Sequence, residues 1–294
     1  MSSMRDIQMR ISNVTSVKQI VKAMDMVAST KLHKARAQLL GVRPIYYELK
    51  RKVDELGTDE TAASHPFFRN TKVDKSLYII LTSDRGLSGS YNANVFSKAL
   101  EHMNQGKNEQ IISVGSKGNE FFKKHHKNVI HTVVDVADAK VYYSSEKVAN
   151  RLIDVYLSGK VQEVFIVYTH FENVLQYQPI VERILPLSIQ KDSDSNDGKV
   201  LASDIKYEPD VETFIGHLIP LFLHMNLFRA YCESHTSEQA ARMVNMDAAE
   251  KNASDLIDQL NHQYNRRRQA DITQELAEIV GSVNVLSKGG IDDS

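Results

Sequence analysis

The stretch TSDRGLSGS, Thr82 to Ser90, holds serines, an acid, a base and two glycines between a β-branched run and a helical pattern. A loop in that context is where phosphates bind, because the free N–H groups of the helix's first turn point at the ligand. The loop lacks the lysine and glycine spacing of G-x-x-x-x-G-K-[ST], and no G-x-G-x-x-G occurs in the 294 residues. A structural turn or a protein contact is the alternative to a phosphate site. A nucleophile elbow, G-x-S-x-G, would need glycine where Ser90 stands. No acid and histidine follow in the usual order, so hydrolase chemistry is not expected.

Metal chemistry needs a converging set of ligands. Cys232 and His235 stand three apart, and His125 and His126 precede His131, but neither group makes a complete set with ligand spacing. Solvated or lightly buried histidines are expected, and no metal. Cys232 is the single cysteine, so no internal disulfide can form. Arg266, Arg267 and Arg268 are consecutive and point around a helix, so they read as a solvated face or a contact for an acidic partner.

The elements carrying these residues are legible in the apolar spacing. Met4, Ile7, Ile11, Val14, Val17, Val21, Met24, Ala28, Leu32, Ala35, Leu39 and Val42 fall three or four apart. That spacing predicts a coiled-coil helix over residues 1–57, with a bend or short break at Gly41 and Pro44. Four runs, Leu77–Leu81, Ile111–Val114, Val129–Val134 and Val164–Tyr168, read as strands. They alternate with helical patterns over Asn92–Met103, Asn119–His126 and Ser144–Leu157. The alternation predicts a mostly parallel sheet in a central α/β domain, 72–190, and Leu175–Ile184 with Pro179 reads as an edge strand. A second long helix is expected over 208–287, kinked at Pro220. Its apolar residues fall in two stripes, Ala249, Ala253, Leu256 and Leu260, then Ile272, Leu276, Ile279, Val283 and Leu286. The expected fold is thus α/β: an antiparallel coiled coil of long N- and C-terminal helices plus a central Rossmann-like domain.

Net charge is −1, yet residues 1–52 hold eleven Lys/Arg against three Asp/Glu, a local +8. A basic arm suits nucleic acid or an acidic protein partner. The opening MSSMRDIQMR has no apolar run, so no signal peptide is expected, and no stretch approaches the ~18 apolar residues of a membrane span. Three classes are open on these residues: a nucleic-acid-binding coiled coil, a dinucleotide enzyme on the central sheet, and a passive scaffold.

Three stretches carry a resemblance. IVKAMDMVASTKLHKA (Ile20–Ala35), TSDRGLSGS (Thr82–Ser90), and SEQAARMVNM (Ser237–Met246) with YNRRRQADITQELAEIV (Tyr264–Val280) resemble the gamma subunit of F-type ATP synthase. The resemblance runs in order along essentially the whole chain. Where the family's loop commonly has Cys and Gly after DRGL, this chain has Ser88 and Ser90. The cysteine-bearing regulatory insert of chloroplast members is missing, and a bacterial member is implied.

The resemblance implies a rotating central stalk that couples ion flow through a membrane c ring to ATP synthesis or hydrolysis at the beta subunits. The partners implied are three alpha and three beta subunits, the epsilon subunit and the c ring, with no nucleic acid. It implies no catalytic residue, no cofactor, no metal, and a peripheral place on the cytoplasmic face of the bacterial plasma membrane. The matching motifs put rotor–stator contacts at Met24, Arg242, Arg268, Gln269 and Thr273, and loop contacts at Asp84 and Arg85. They put the foot toward the c ring and epsilon at Tyr207 and Glu208. In this reading the polar, alanine-rich SEQAARMVNMDAAEKNA, Ser237 to Ala253, keeps a shaft from sticking to its sleeve.

Overall fold

A computed structural model describes residues 4–57, 62, 64–69, 71–103, 108–187 and 210–289. The elements in chain order are α1 (Met4–Leu56), β1 (Lys75–Leu81), α2 (Tyr91–Met103), β2 (Asn108–Val114), α3 (Ser116–Lys124), β3 (Val129–Val133), α4 (Val141–Leu157), β4 (Glu163–Phe171), β5 (Tyr177–Leu185) and α5 (Val211–Gly289). Contacts divide the chain into two units. One is built from residues 1–27 and 244–294, the other from Ala28–Met243.

The larger unit holds a five-stranded sheet in the order β3-β2-β1-β4-β5. β1 pairs in parallel with β2 and with β4, β2 pairs in parallel with β3, and β5 lies antiparallel on the edge beside β4. β1 and β4 are buried along nearly their whole length, which is why LYIIL and VFIVY within them read as continuous apolar runs rather than alternating ones. Pro179 falls in β5 opposite Thr169, where an edge position leaves one side of the strand without a ladder to break. Helices cover both faces. Val95, Ala99 and Met103 of α2 and Phe122 of α3 pack on Tyr78, Ile80 and Val167. On the other face Leu152 of α4, Leu56 of α1 and Leu223 and Leu227 of α5 pack on Leu77, Ile79 and Ile166.

The expected break at Gly41 and Pro44 does not occur, since α1 runs through it with Pro44 inside. Val42 and Tyr46 are both buried on either side of the proline, and that packing offsets the missing backbone hydrogen bond. α5 likewise continues through Pro220. An 18-residue window in α5 reaches a mean hydropathy of 1.3, enough by length and composition for a membrane span. Half of that window is buried inside the protein, and Phe222, Leu223 and Leu227 belong to the core under the sheet.

Candidate functional site

The smaller unit is a helix pair. Lys22 of α1 stands 4.0 Å from Glu250 of α5. On α1 the inward face runs through Ile7, Ile11, Val14, Lys18, Val21 and Met24. Val17, expected on that face, is 53% exposed, because the step from Val14 is four residues to Lys18 and then three to Val21. On α5 the inward face takes Met246, Ala253, Ile257 and Leu260. Leu256, expected there, is 43% exposed, and Ile257 sits one residue further round. At Leu256 and Ile257 two adjacent apolar residues leave the choice of face to packing, whereas at Val17 the 3-4 step passes through the neighbouring Lys18.

Of the second stripe, Ile272, Leu276 and Ile279 stand exposed, and the side chains of Val283 and Leu286 lie outside the described residues. Ile272, Leu276, Ile279 and Val280 are 49–59% exposed. From the Lys22–Glu250 register, moving 18 residues back to Met4 on α1 moves 18 forward to Arg268 on α5. Beyond Arg268 the helix continues 21 residues to Gly289, a further ~30 Å with no described part of α1 opposite it. Arg268, Gln269 and Thr273 are exposed at that point of emergence, and Thr273 Oγ1 donates to its own helix at Gln269 O, 2.8 Å. Met24 is half-buried on the paired face and is not brought to them.

In the larger unit the two helices are locked to the sheet by buried charge. Glu233 of α5, 1% exposed, accepts from Arg43 of α1 at 2.9 Å through both carboxylate oxygens. The same carboxylate accepts from Phe171 N at 2.8 Å, and His170 Nδ1 lies 3.1 Å away. Arg229, one helical turn earlier, donates to Glu182 of β5 at 2.9 Å and to Tyr168 of β4 at 2.7 Å, with its guanidinium 4.2 Å from the Tyr46 ring centroid. Burial alone would lower the Arg229 pKa, but Tyr168, Glu182 and Tyr46 hold it above its ordinary value. Burial, then Glu233, pushes the Cys232 thiol up to about 12, so a thiolate ligand paired with His235 is disfavoured. The sequence reading missed Glu233, Arg229 and Arg43. The available signal was an arginine and a glutamate four apart inside the apolar run LFLHMNLFRAYCES.

The start of SEQAARMVNM is part of the same joint. Ser234, Ser237 and Gln239 are buried at 5% exposure or less. Ser234 Oγ accepts from Thr169 N at 3.0 Å, Tyr91 Oη donates to Ser234 O at 3.1 Å, and Ser237 Oγ donates to Thr169 O at 3.4 Å. Ser234 and Ser237 are polar where they meet the backbone of Thr169 near the end of β4.

The TSDRGLSGS loop joins this face. Asp84 Oδ1 accepts from Ser116 N and Ser116 Oγ, both at 2.9 Å, and Oδ2 accepts from Asp135 N at 3.2 Å. Lys117 N donates to Ser83 O and Gly118 N to Thr82 Oγ1. The first-turn N–H groups of α3, the place a phosphate would take, are thus satisfied by the chain itself. Gly115 has φ 98, and a Cβ there would lie 2.3 Å from Thr82 O, so loop and helix start are in close contact. Arg85 is exposed, and Leu87 is 61% exposed at φ 66, a strained conformation for a leucine. Arg242 reaches this loop, donating to Gly86 O at 3.3 Å, and pairs with Glu238 at 2.6 Å. Ser88 Oγ is buried without a partner among the described residues, so no base activates it. Arg242, Asp84 and Arg85 are therefore brought together, whereas Tyr207 and Glu208 lie outside the described residues.

A family model described as ATP synthase matches residues 3–286. The ATP synthase gamma chain of Alkaliphilus metalliredigens is 37% identical over 284 residues, covering 96% of this chain and 98% of that one. That of Staphylococcus carnosus is 38% identical over 290 residues, covering 97% and 100%. Among solved structures, a chain of the Euglena gracilis mitochondrial ATP synthase OSCP/F1/c-ring assembly superposes with a TM-score of 0.67 at 20% identity, covering 99% of this chain and 97% of that one. A chain of the rotor of the same enzyme gives 0.63 at 20% identity, covering 92% and 98%. At these identities the likeness is one of fold.

Proposed function

The chain belongs to the ATP synthase gamma chain family, and on that premise we propose that it is the rotating central stalk of an F-type ATP synthase, without catalytic residues of its own. Its α5 tip turns inside a ring of three alpha and three beta subunits, and its α/β domain faces the epsilon subunit and the c ring. It works as a peripheral subunit on the cytoplasmic face of a bacterial plasma membrane. The observation that carries this reading is the apolar stripe Ile272, Leu276, Ile279 and Val280, exposed over a length of helix that α1 does not reach. Buried apolar area is worth ~25 cal/mol per Å², so such a stripe favours a surrounding sleeve.

The mechanical load fits the joint. A unit charge crossing 100 mV carries ~2.3 kcal/mol, so three to four ions at ~150 mV deliver roughly 10–14 kcal/mol per ATP through the shaft. Torque entering at the α/β domain has to reach the helices, and Glu233, Arg43 and Arg229 tie both helices to the sheet edge through charge-assisted bonds. Arg268, Gln269 and Thr273 then offer hydrogen-bonding groups to the ring where α5 emerges, Met24 lies lower on the pair, and Asp84, Arg85 and Arg242 form a collar at the loop. Tyr207 and Glu208 form the foot.

The test is assembly and coupling. Serine at Leu276, Ile279 and Val280 together is expected to lower ATP-driven ion pumping well below ATP hydrolysis in the assembled enzyme. Wild-type pumping with normal subunit stoichiometry would reject the sleeve contact. For the polar set, alanine at Gln269 and Thr273 is expected to reduce pumping, and untouched pumping would reject their contact role.

A further inference from the structure

Within the larger unit α1 carries two apolar stripes. Leu32, Ala35, Leu39, Val42 and Tyr46 are buried on its inner face. Ala37, Leu40, Pro44 and Tyr47, spaced three, four and three apart, form a second stripe that is exposed, with Leu40 at 57% and Tyr47 at 58%. A helix packed on one side needs one such face, and a second offers a surface to another helix. Gly41 lies beside it, with no described atom within 4 Å of where a Cβ would stand, so a second backbone can come close.

Charge identifies the partner. Between Asp25 and Glu48 the chain has no Asp or Glu and four Lys/Arg, at Lys31, Lys34, Arg36 and Arg43. Arg43 is held by Glu233. Lys34, one turn from Ala37, and Arg36, one turn from Leu40, are exposed and have no ion pair among the described residues. A complementary helix would carry a 3-4 apolar stripe flanked by acids, and α5 has that pattern. Between Arg268 and Lys288 there is no Lys or Arg, and there are three acids, Asp271, Glu275 and Glu278. Ile272, Leu276 and Ile279 stand exposed four and three apart, and helical spacing puts the three acids on one flank of them. Asp271 pairs with Arg267. Glu275 has no ion pair among the described residues, and Glu278 accepts only from Gln274 Nε2, at 3.0 Å.

We propose that the free chain binds a second copy of itself, residues 271–280 of α5 in one copy lying on the Ala37–Tyr47 stripe of α1 in the other, with Glu275 and Glu278 facing Lys34 and Arg36. On the stalk reading above, the alpha and beta ring takes the same α5 stripe, so this contact belongs to the chain before assembly and competes with it. The two surfaces differ and every copy carries both, so the contact is heterologous. The test is sedimentation velocity of the full-length chain from ~1 to ~200 µM. The weight-average mass is expected to rise above that of one copy, with Kd ~10–100 µM for so small a contact. Lys34→Glu with Arg36→Glu, or Glu275→Lys with Glu278→Lys, is expected to weaken association at least ~10-fold. All four positions are exposed, so folding is not threatened. Mixed together, the two reversed chains meet opposite charges again and are expected to associate as the wild type does. A single copy's mass at every concentration, a reversed chain that associates like the wild type, or a mixture that stays monomeric would each overturn the proposal. No alpha or beta subunit is present, so such a failure leaves the ring contact standing.

Discussion

Two stretches of one helix look alike in composition and behave oppositely. Arg229–Arg242 is polar and buried, with Arg229 and Glu233 partnered on β4, β5 and α1 and Glu238 paired with Arg242 of the same helix. Arg266–Val280 is equally polar but stands in solvent, with its apolar residues exposed beside its charges. In the first, polarity satisfies backbone and carboxylate groups at a sheet end. In the second it surrounds an apolar stripe that no described residue covers. Substitutions should therefore act on folding in the first stretch and on partners in the second.

The largest effect is expected at the joint. Glu233→Ala leaves Phe171 N without its acceptor and Arg43 with only Phe171 O, and should cost ~3–5 kcal/mol in denaturant unfolding of the full chain. A loss under ~1 kcal/mol would put the two stretches on the same footing. Gly115→Ala forces a side chain into φ 98 and onto Thr82 O, and should destabilise by more than ~1 kcal/mol in the same assay. Asp84→Ala removes the acceptor at the start of α3 and should cost ~0.5–2 kcal/mol; an unchanged midpoint would free the carboxylate for a purely intermolecular role. Ile279→Ser should move the stability of the isolated chain by no more than ~0.5 kcal/mol, and a larger drop would reveal a partner for the stripe within the chain itself.

The smallest effect is one of pH. Burial lowers the His65 pKa, and Phe67 N donates to its Nδ1 at 3.4 Å, so the neutral ring is the folded form. The unfolded chain then binds the extra proton first, and stability should fall as pH drops through ~6.5. His65→Gln should flatten that slope in pH-dependent melting, and an unaltered slope would assign it to other groups.

The apolar spacing alone determined much: two long helices, four strands of a mostly parallel sheet, and an edge strand marked by Pro179. These are local consequences of period and backbone sterics, and each can be read from neighbours in sequence. What tertiary structure decided was which of two neighbouring residues turns inward and which distant residues meet. Lys18 rather than Val17 and Ile257 rather than Leu256 turn inward, because adjacent residues differ only by a rotation about the helix. Asp84 serves the start of α3 from 32 residues away, and Glu233 finds Arg43 across 190 residues. Pairings of that separation depend on where the sheet brings the helices, and no local pattern encodes them.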